Sequence, residues 1–190
     1  MKSLAIYCSS SDVIHPDYFS AAQELGRSMA TAGYQLIYGG GRVGLMGQVA
    51  RSVKENGGKT LGVVPHALNI ENVVNDIDDE LIITEGMRER KAIMDEKADA
   101  FIGLPGGFGT FEEMFEVLTL KQLGYHNKAI VFLNIKGYYD KLLEMFEHIY
   151  SEGFAKEQYR VIYHVSETVA DTMAYLKSYK APKLPDKWFV

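Results

Sequence analysis

The chain has few of the residues that staple or anchor a small protein. Its 190 residues include one cysteine, Cys8, so an internal disulfide is excluded and a reducing compartment suits it. The five histidines (His15, His66, His126, His148 and His164) form no short-range pair and match no zinc spacing, so no protein-held metal is expected. Long apolar runs are missing too. Leu4-Ala5-Ile6-Tyr7 follows Lys2 like the start of a secretory signal, but Ser9-Ser10-Ser11-Asp12 ends it. A signal core needs roughly 7–15 apolar residues and a membrane span about 20. The expectation is a cytoplasmic protein with no membrane partner. Positive charge is not in excess either: 20 Lys and Arg against 25 Asp and Glu leave a net charge of −5. That excludes a global field for nucleic acid, so any anion must be held locally, by backbone and one or two cations.

What is present is ordinary globular usage, with 47% hydrophobic residues, 24% charged residues and 18 glycines. This length suits one α/β domain burying roughly 70% of its unfolded surface, without a metal or disulfide staple. Short apolar runs predict strands near 4–8, 35–38, 61–64, 81–84, 100–104 and 129–134. Helical patterns fall near 17–32, 45–56, 87–98, 111–123, 138–151 and 167–178. The strands are apolar throughout rather than alternating, as in a sheet covered on both faces. The expected fold is α/β, a doubly wound, mostly parallel, Rossmann-like sheet in a single domain spanning 1–190. Within it, 180–190 forms an extended C-terminal arm carrying Pro182, Pro185 and Trp188-Phe189-Val190, laid on the body or on a partner subunit.

Ligands on such sheets bind beyond the carboxyl ends of the strands, so the loops after strands carry the information. Gly39-Gly40-Gly41-Arg42-Val43-Gly44 formally satisfies G-x-G-x-x-G. A dinucleotide site also needs an acid near the end of the next strand, and Leu61-Gly62-Val63-Val64-Pro65-His66 has none. NAD and FAD are therefore disfavoured. Two readings stand: a tight strand-to-helix turn, or, preferred, a phosphate wall that includes Gly41. The second loop runs Leu104-Pro105-Gly106-Gly107-Phe108-Gly109-Thr110-Phe111-Glu112-Glu113. Its glycines let N–H groups turn to a ligand, and the following helix adds its partial positive end. No Gly-Lys-Ser/Thr occurs, which disfavours triphosphate chemistry. The spacing of Phe111, Met114, Phe115 and Leu118 predicts a core-facing stripe.

Two charged residues stand out, each with two readings. Thr110-x-x-Glu113 fits a capping box, in which Glu113 reaches back to the helix start; the same first-turn carboxylate can also face the ligand crevice. Glu112 reads as a solvated acid complementing the helix dipole. On the helix starting Met87-Arg88-Glu89-Arg90-Lys91, Arg88 has Glu85 at i−3 and Lys91 has Asp95 at i+4 as surface partners. Arg90 has no acid at i±3 or i±4, where Gly86, Met87, Ile93 and Met94 stand, and shares its face with Met87 and Met94. It needs either a distant carboxylate or a ligand.

Residues 104–113 fit the Pro-Gly-Gly-x-Gly-Thr-x-x-Glu signature of the LONELY GUY (LOG) family, the cytokinin riboside 5′-monophosphate phosphoribohydrolases. Met87-Arg-Glu-Arg-Lys91 resembles that family's Met-x-x-Arg-Lys segment. Tyr38-Gly-Gly-Gly-Arg-Val-Gly-Leu-Met-Gly47 resembles its glycine turn, and Gln122-Leu123-Gly124 and Gly137-Tyr138-Tyr139 are similar too. The resemblance covers residues 3 to 154. It implies cleavage of the N-glycosidic bond of a nucleoside 5′-monophosphate to free base and ribose 5-phosphate. Arg90 and Glu113 would be the catalytic pair. Substrate and phosphate would be held by Gly41, Met87, Lys91, Gly106, Gly107, Phe108, Gly109, Thr110, Phe111, Glu112 and Thr119. It implies no cofactor and no metal, and a homodimer with the site near the subunit interface. Some relatives carry the label "lysine decarboxylase", yet these residues do not resemble a pyridoxal-phosphate lysine site. Leu120 stands where the family often has Trp, and Glu71 is the candidate for a base-side glutamate; both departures bear on base specificity. The alternative from another class is a non-catalytic nucleotide-binding or sensing module on the same scaffold.

Overall fold

The structure, a computed structural model, describes residues 3–70 and 73–184. Glu71 and the end of the expected arm, from Pro185 on, lie outside the described residues. Seven strands form one sheet: β1 (Ser3–Tyr7), β2 (Gln35–Tyr38), β3 (Thr60–Pro65), β4 (Glu80–Thr84), β5 (Ala100–Gly103), β6 (Ala129–Leu133) and β7 (His164–Ser166). All six pairings are parallel, in the order β4-β3-β2-β1-β5-β6-β7. Strand order reverses at β1, so the crevice of this α/β fold lies between the loops after β1 and β5.

Six helices cover the sheet: α1 (Pro16–Thr31), α2 (Gly44–Glu55), α3 (Met87–Lys97), α4 (Phe108–Gln122), α5 (Asp140–Ser151) and α6 (Val169–Ser178). Side chains alternate along each strand, and each face has its own core. Leu4, Ile6, Leu36, Ile102 and Val131 pack against Leu25, Met29, Leu45, Val53 and Val169 from α1, α2 and α6. Ala5, Ile37, Val63, Phe101 and Phe132 pack against Met94, Met114, Val117 and Phe146 from α3, α4 and α5. Burial on both faces explains why β1, β2, β3, β5 and β6 read as continuous apolar runs, whereas edge strand β4 leaves Leu81 and Ile83 exposed.

Six of the strands and all six helices fall where the pattern places them, and β7 is additional. His164-Val-Ser166 is too short and too polar to signal a strand; it forms because β6 offers Val131, Phe132 and Leu133 as an open ladder. The larger difference lies in α4, which begins at Phe108 rather than near Phe111, with Gly107 as its cap residue and no side-chain cap bond. Thr110 therefore sits inside the first turn and closes no capping box with Glu113. The buried face is also narrower than the spacing suggests. Met114, Val117, Leu118 and Lys121 turn inward, while Phe115 is 41% exposed.

Candidate functional site

The loops after β1, β2, β3 and β5, with α2, α3 and α4, enclose a cavity of about 460 Å³ at the switch point. One wall is the end of β1 and its serine loop, residues 6–11. Gly39, Met46, Leu68 and Met87 form another, and Gly107–Thr110 close the third. Arg90 and Glu113 also line it.

Arg90 comes from the first turns of α3 and Glu113 from the second turn of α4. The two side chains meet, Arg90 Nη1 donating to Glu113 Oε1 at 2.6 Å, with Arg90 7% and Glu113 8% exposed. Arg90 Nε also donates to the Val63 carbonyl of β3 at 3.1 Å, which fixes the guanidinium plane. Gly39 is the residue that makes room: a Cβ there would collide with Arg90 Nη2. The distant carboxylate that Arg90 needs is thus Glu113, the other candidate catalytic residue, and the pair lines the cavity. Burial pushes the Glu113 carboxyl above the usual glutamate range, against the pull of the Arg90 guanidinium.

Beside this pair lies the start of α4. Its first helical bond runs from the Phe111 N–H to the Gly107 carbonyl at 3.1 Å. The N–H groups of Phe108, Gly109 and Thr110 precede it and point out of the helix end into the cavity wall. With no side-chain cap, that end is free to receive an anion.

The structure brings together Arg90, Glu113, Met87, Gly107, Phe108, Gly109 and Thr110 around the cavity. Gly106 lies directly beneath, close enough that a Cβ would meet Thr110 Cβ at 2.7 Å. Gly41 stands behind the wall, bridged to Val74; the glycine in contact with the cavity is Gly39. Phe111 packs on Tyr138 and Tyr139 instead of lining the cavity. Lys91 turns to the outer side of α3 and α4, where it pairs with Glu112 and, at 2.7 Å, with Glu116, in place of Asp95. Asp95 faces Lys128 at 3.7 Å. Thr119 lines a separate apolar groove with Phe115, Phe146 and Phe154.

Sequence reasoning missed the serine loop as a cavity wall. In the sequence Ser9-Ser10-Ser11 reads only as the end of an apolar run, yet a polar turn after the central strand is where a switch-point ligand sits. Among the described residues no cluster of His, Cys, Asp and Glu is arranged to hold a metal ion, and no helix is long and apolar enough to cross a membrane.

A parallel doubly wound sheet with an uncapped helix end and a buried Arg–Glu pair at its switch point defines a Rossmann-like α/β protein with a polar crevice there. Its relatives narrow this. The model of the family described as "Possible lysine decarboxylase" matches residues 46–176. The chain is 40% identical over 178 residues to the cytokinin riboside 5′-monophosphate phosphoribohydrolase LOG of Oryza sativa subsp. japonica, covering 94% of this chain and 74% of that protein. It is 38% identical to LOG5 of Arabidopsis thaliana, covering 94% and 78%. The chain belongs to this LOG family, whose model carries the lysine decarboxylase description. In fold it is similar to the Moco carrier protein of Chlamydomonas reinhardtii (TM-score 0.70, 24% identity, 93% of this chain and 95% of that one). It is also similar to the molybdenum cofactor binding protein of Rippkaea orientalis (TM-score 0.72, 21% identity, 94% and 97%).

Proposed function

We propose that this protein hydrolyses the N-glycosidic bond of nucleoside 5′-monophosphates, AMP and N6-substituted AMP of the cytokinin riboside 5′-monophosphate type, releasing free base and ribose 5-phosphate. The observation that carries the reading is the meeting of the uncapped α4 N-terminus and the buried Arg90–Glu113 pair in one cavity. The names of the family's relatives support it. The family description gives the competing chemistry, lysine decarboxylation. A Schiff-base site needs a lysine amine in the cavity, and among the described residues no lysine lines it.

In this reading the N–H groups of Gly107–Thr110 hold the 5′-phosphate, giving binding energy remote from the reacting bond. As the C1′–N bond breaks, positive charge grows on the sugar and negative charge on the leaving base. Glu113, ionised, stabilises the sugar cation, orders the ribose hydroxyls and directs the attacking water. That water's oxygen bonds to C1′, and its proton balances the charge of the departing base. Arg90 acts as an electrostatic clamp on the phosphate or the leaving base while holding Glu113 in place. Met46, Leu68 and Met87 offer an apolar surface for the base.

The wider reading is a single nucleotide-monophosphate-binding domain over residues 1–190, with 180–190 as an arm, working in the cytoplasm as a homodimer. Lys91, Glu112 and Thr119, which resemblance assigns to the nucleotide site, lie outside their own chain's cavity. Their position supports a site completed across a subunit interface. Incubation with AMP and with N6-substituted AMP, followed by chromatography, tests the activity. Stoichiometric base and ribose 5-phosphate are expected; base no higher than in an enzyme-free control would reject the reading. Calorimetric binding of AMP without cleavage would favour the sensing module instead.

A further inference from the structure

The Gly137-Tyr138-Tyr139 turn after β6 contributes nothing to the cavity surface, yet both of its phenols end on the phosphate-facing loop. Tyr138 donates its hydroxyl to the Gly106 carbonyl. Tyr139 donates to the Leu104 carbonyl at 2.6 Å, and the Ser9 N–H takes the Pro105 carbonyl between them at 3.1 Å. Three successive carbonyls of the loop are thus engaged by groups outside it.

A trans peptide, as the 106–107 bond is, points its C=O and the following N–H in opposite directions. Fixing the Gly106 oxygen on Tyr138 therefore aims the Gly107 N–H the opposite way. Among the described residues no acceptor takes that N–H, and Gly107 lines the cavity. With glycine on both sides the 106–107 peptide has little intrinsic preference of its own. Unpinned, it can rotate and turn a carbonyl oxygen, with its negative partial charge, toward an anion.

The turn is itself held rigidly. Asn134 Oδ1 accepts from the Tyr139 N–H at 2.6 Å, and Asn134 Nδ2 donates to Asp140 at 2.8 Å. The Tyr138 ring stacks on Phe111 of α4, with centroids 6.5 Å apart, and meets Tyr18 of α1 edge-on at 6.0 Å.

We propose that Tyr138 is a positioning residue for phosphate recognition, its hydroxyl holding the 106–107 peptide with the N–H turned to the phosphate and the carbonyl turned away. This deepens the proposed function and rests on its placement of the 5′-phosphate at residues 107–110. Tyr139 supplies an internal contrast. The carbonyl it holds belongs to the Leu104–Pro105 peptide, whose nitrogen carries no hydrogen, so releasing it re-aims no donor.

The test compares wild type, Tyr138→Phe and Tyr139→Phe, with ribose 5-phosphate and AMP titrated by calorimetry and AMP and adenosine turned over kinetically. Tyr138→Phe keeps the ring on Phe111 and removes only the hydroxyl of a partly exposed side chain. Its expected effects are about ten-fold weaker ribose 5-phosphate binding and a similar rise in KM for AMP. The values of kcat for AMP and of kcat/KM for adenosine should stay within about two-fold. Tyr139→Phe should lower the unfolding temperature while changing ribose 5-phosphate affinity less than Tyr138→Phe does. Equal affinity in Tyr138→Phe and wild type overturns the proposal, as does an equal loss with adenosine and AMP, which marks a merely structural role. Failure of wild type to bind ribose 5-phosphate overturns the phosphate reading on which it stands.

Discussion

Among single residues, the buried Arg90–Glu113 pair is the one to which the proposed function gives the chemistry and its pH dependence. A carboxylate nine-tenths buried costs free energy to ionise, and the single guanidinium at 2.6 Å offsets only part of that cost. The folded pKa of Glu113 is therefore raised, so the folded state holds its proton more tightly than the unfolded chain does. The stability contributed by this group is fully present below the ordinary value of 4.5 and declines as pH rises through the folded pKa. Denaturant unfolding of wild type and Glu113→Gln, taken as a difference across acidic pH, should show that slope in wild type and lose it in the variant. If the ionised carboxylate is the working form, the acid limb of kcat/KM lies above the ordinary glutamate range. Glu113→Gln should reduce turnover by about 10² or more while its circular dichroism spectrum stays native. Near-wild-type activity would leave Glu113 with a structural part only.

At the scale of elements, the cavity is a junction between the loop after β1 and the starts of α2 and α4. The α2 start is fitted to the serine loop through Gly44, which has φ +62° and donates to Asp12 Oδ1 at 2.8 Å. Leu45 N–H donates to the Ser9 carbonyl at 2.9 Å, bringing α2 so close that a Cβ on Gly44 would meet Ser9 O at 2.6 Å and Ser10 Cα at 2.7 Å. A side chain there is strained in conformation and blocked by backbone. Gly44→Ala should cost about 1–3 kcal/mol of stability, read as a shift in the denaturant midpoint, and weaken AMP binding because the serine loop is displaced. Unchanged stability would show that the loop yields easily. The short glycine run before it is explained in the same way. Gly39 admits Arg90 and Gly40, at φ +69°, makes the turn, so the tight-turn reading accounts for residues that also suited a phosphate wall.

At the scale of the whole molecule, the cavity accounts for only part of what the family resemblance assigns. Lys91 bridges Glu112 and Glu116 across the outside of α3 and α4, and Thr119 edges an apolar groove with Phe115 and Phe154, the latter 81% exposed. Exposed aromatic surface beside a half-used set of site residues suits burial against a second copy. Sedimentation velocity should give a dimer, and Thr119→Arg should both dissociate it and reduce AMP turnover although Thr119 lies outside its own cavity. A fully active monomer would reject a site shared between subunits.

Much of this was legible before any coordinates. Strands buried on both faces cannot alternate, so the five inner apolar runs point to a covered parallel sheet, while the sixth, β4, lies at the edge with Leu81 and Ile83 exposed. The glycines of 104–109 and an Arg90 with no acid at i±3 or i±4 mark the crevice, because such patterns are costly elsewhere in a fold. Other features depend on partners distant in sequence. Thr110-x-x-Glu113 is a sound capping box by local rule, but the glycines let α4 begin three residues earlier, and Arg90 takes the carboxylate. Lys121 gives no outward sign of burial, yet it is enclosed between the Lys128 carbonyl and the Tyr179 hydroxyl, and desolvation lowers its pKa to about 8. Fold class, the glycine loop after β5 and the two charged residues are written in near neighbours, as periodicity and local backbone chemistry. The meeting of Arg90 with Glu113, the serine loop as a wall and the bond from Tyr138 to Gly106 come from the tertiary fold, because each is a contact across the sheet order that no local pattern encodes.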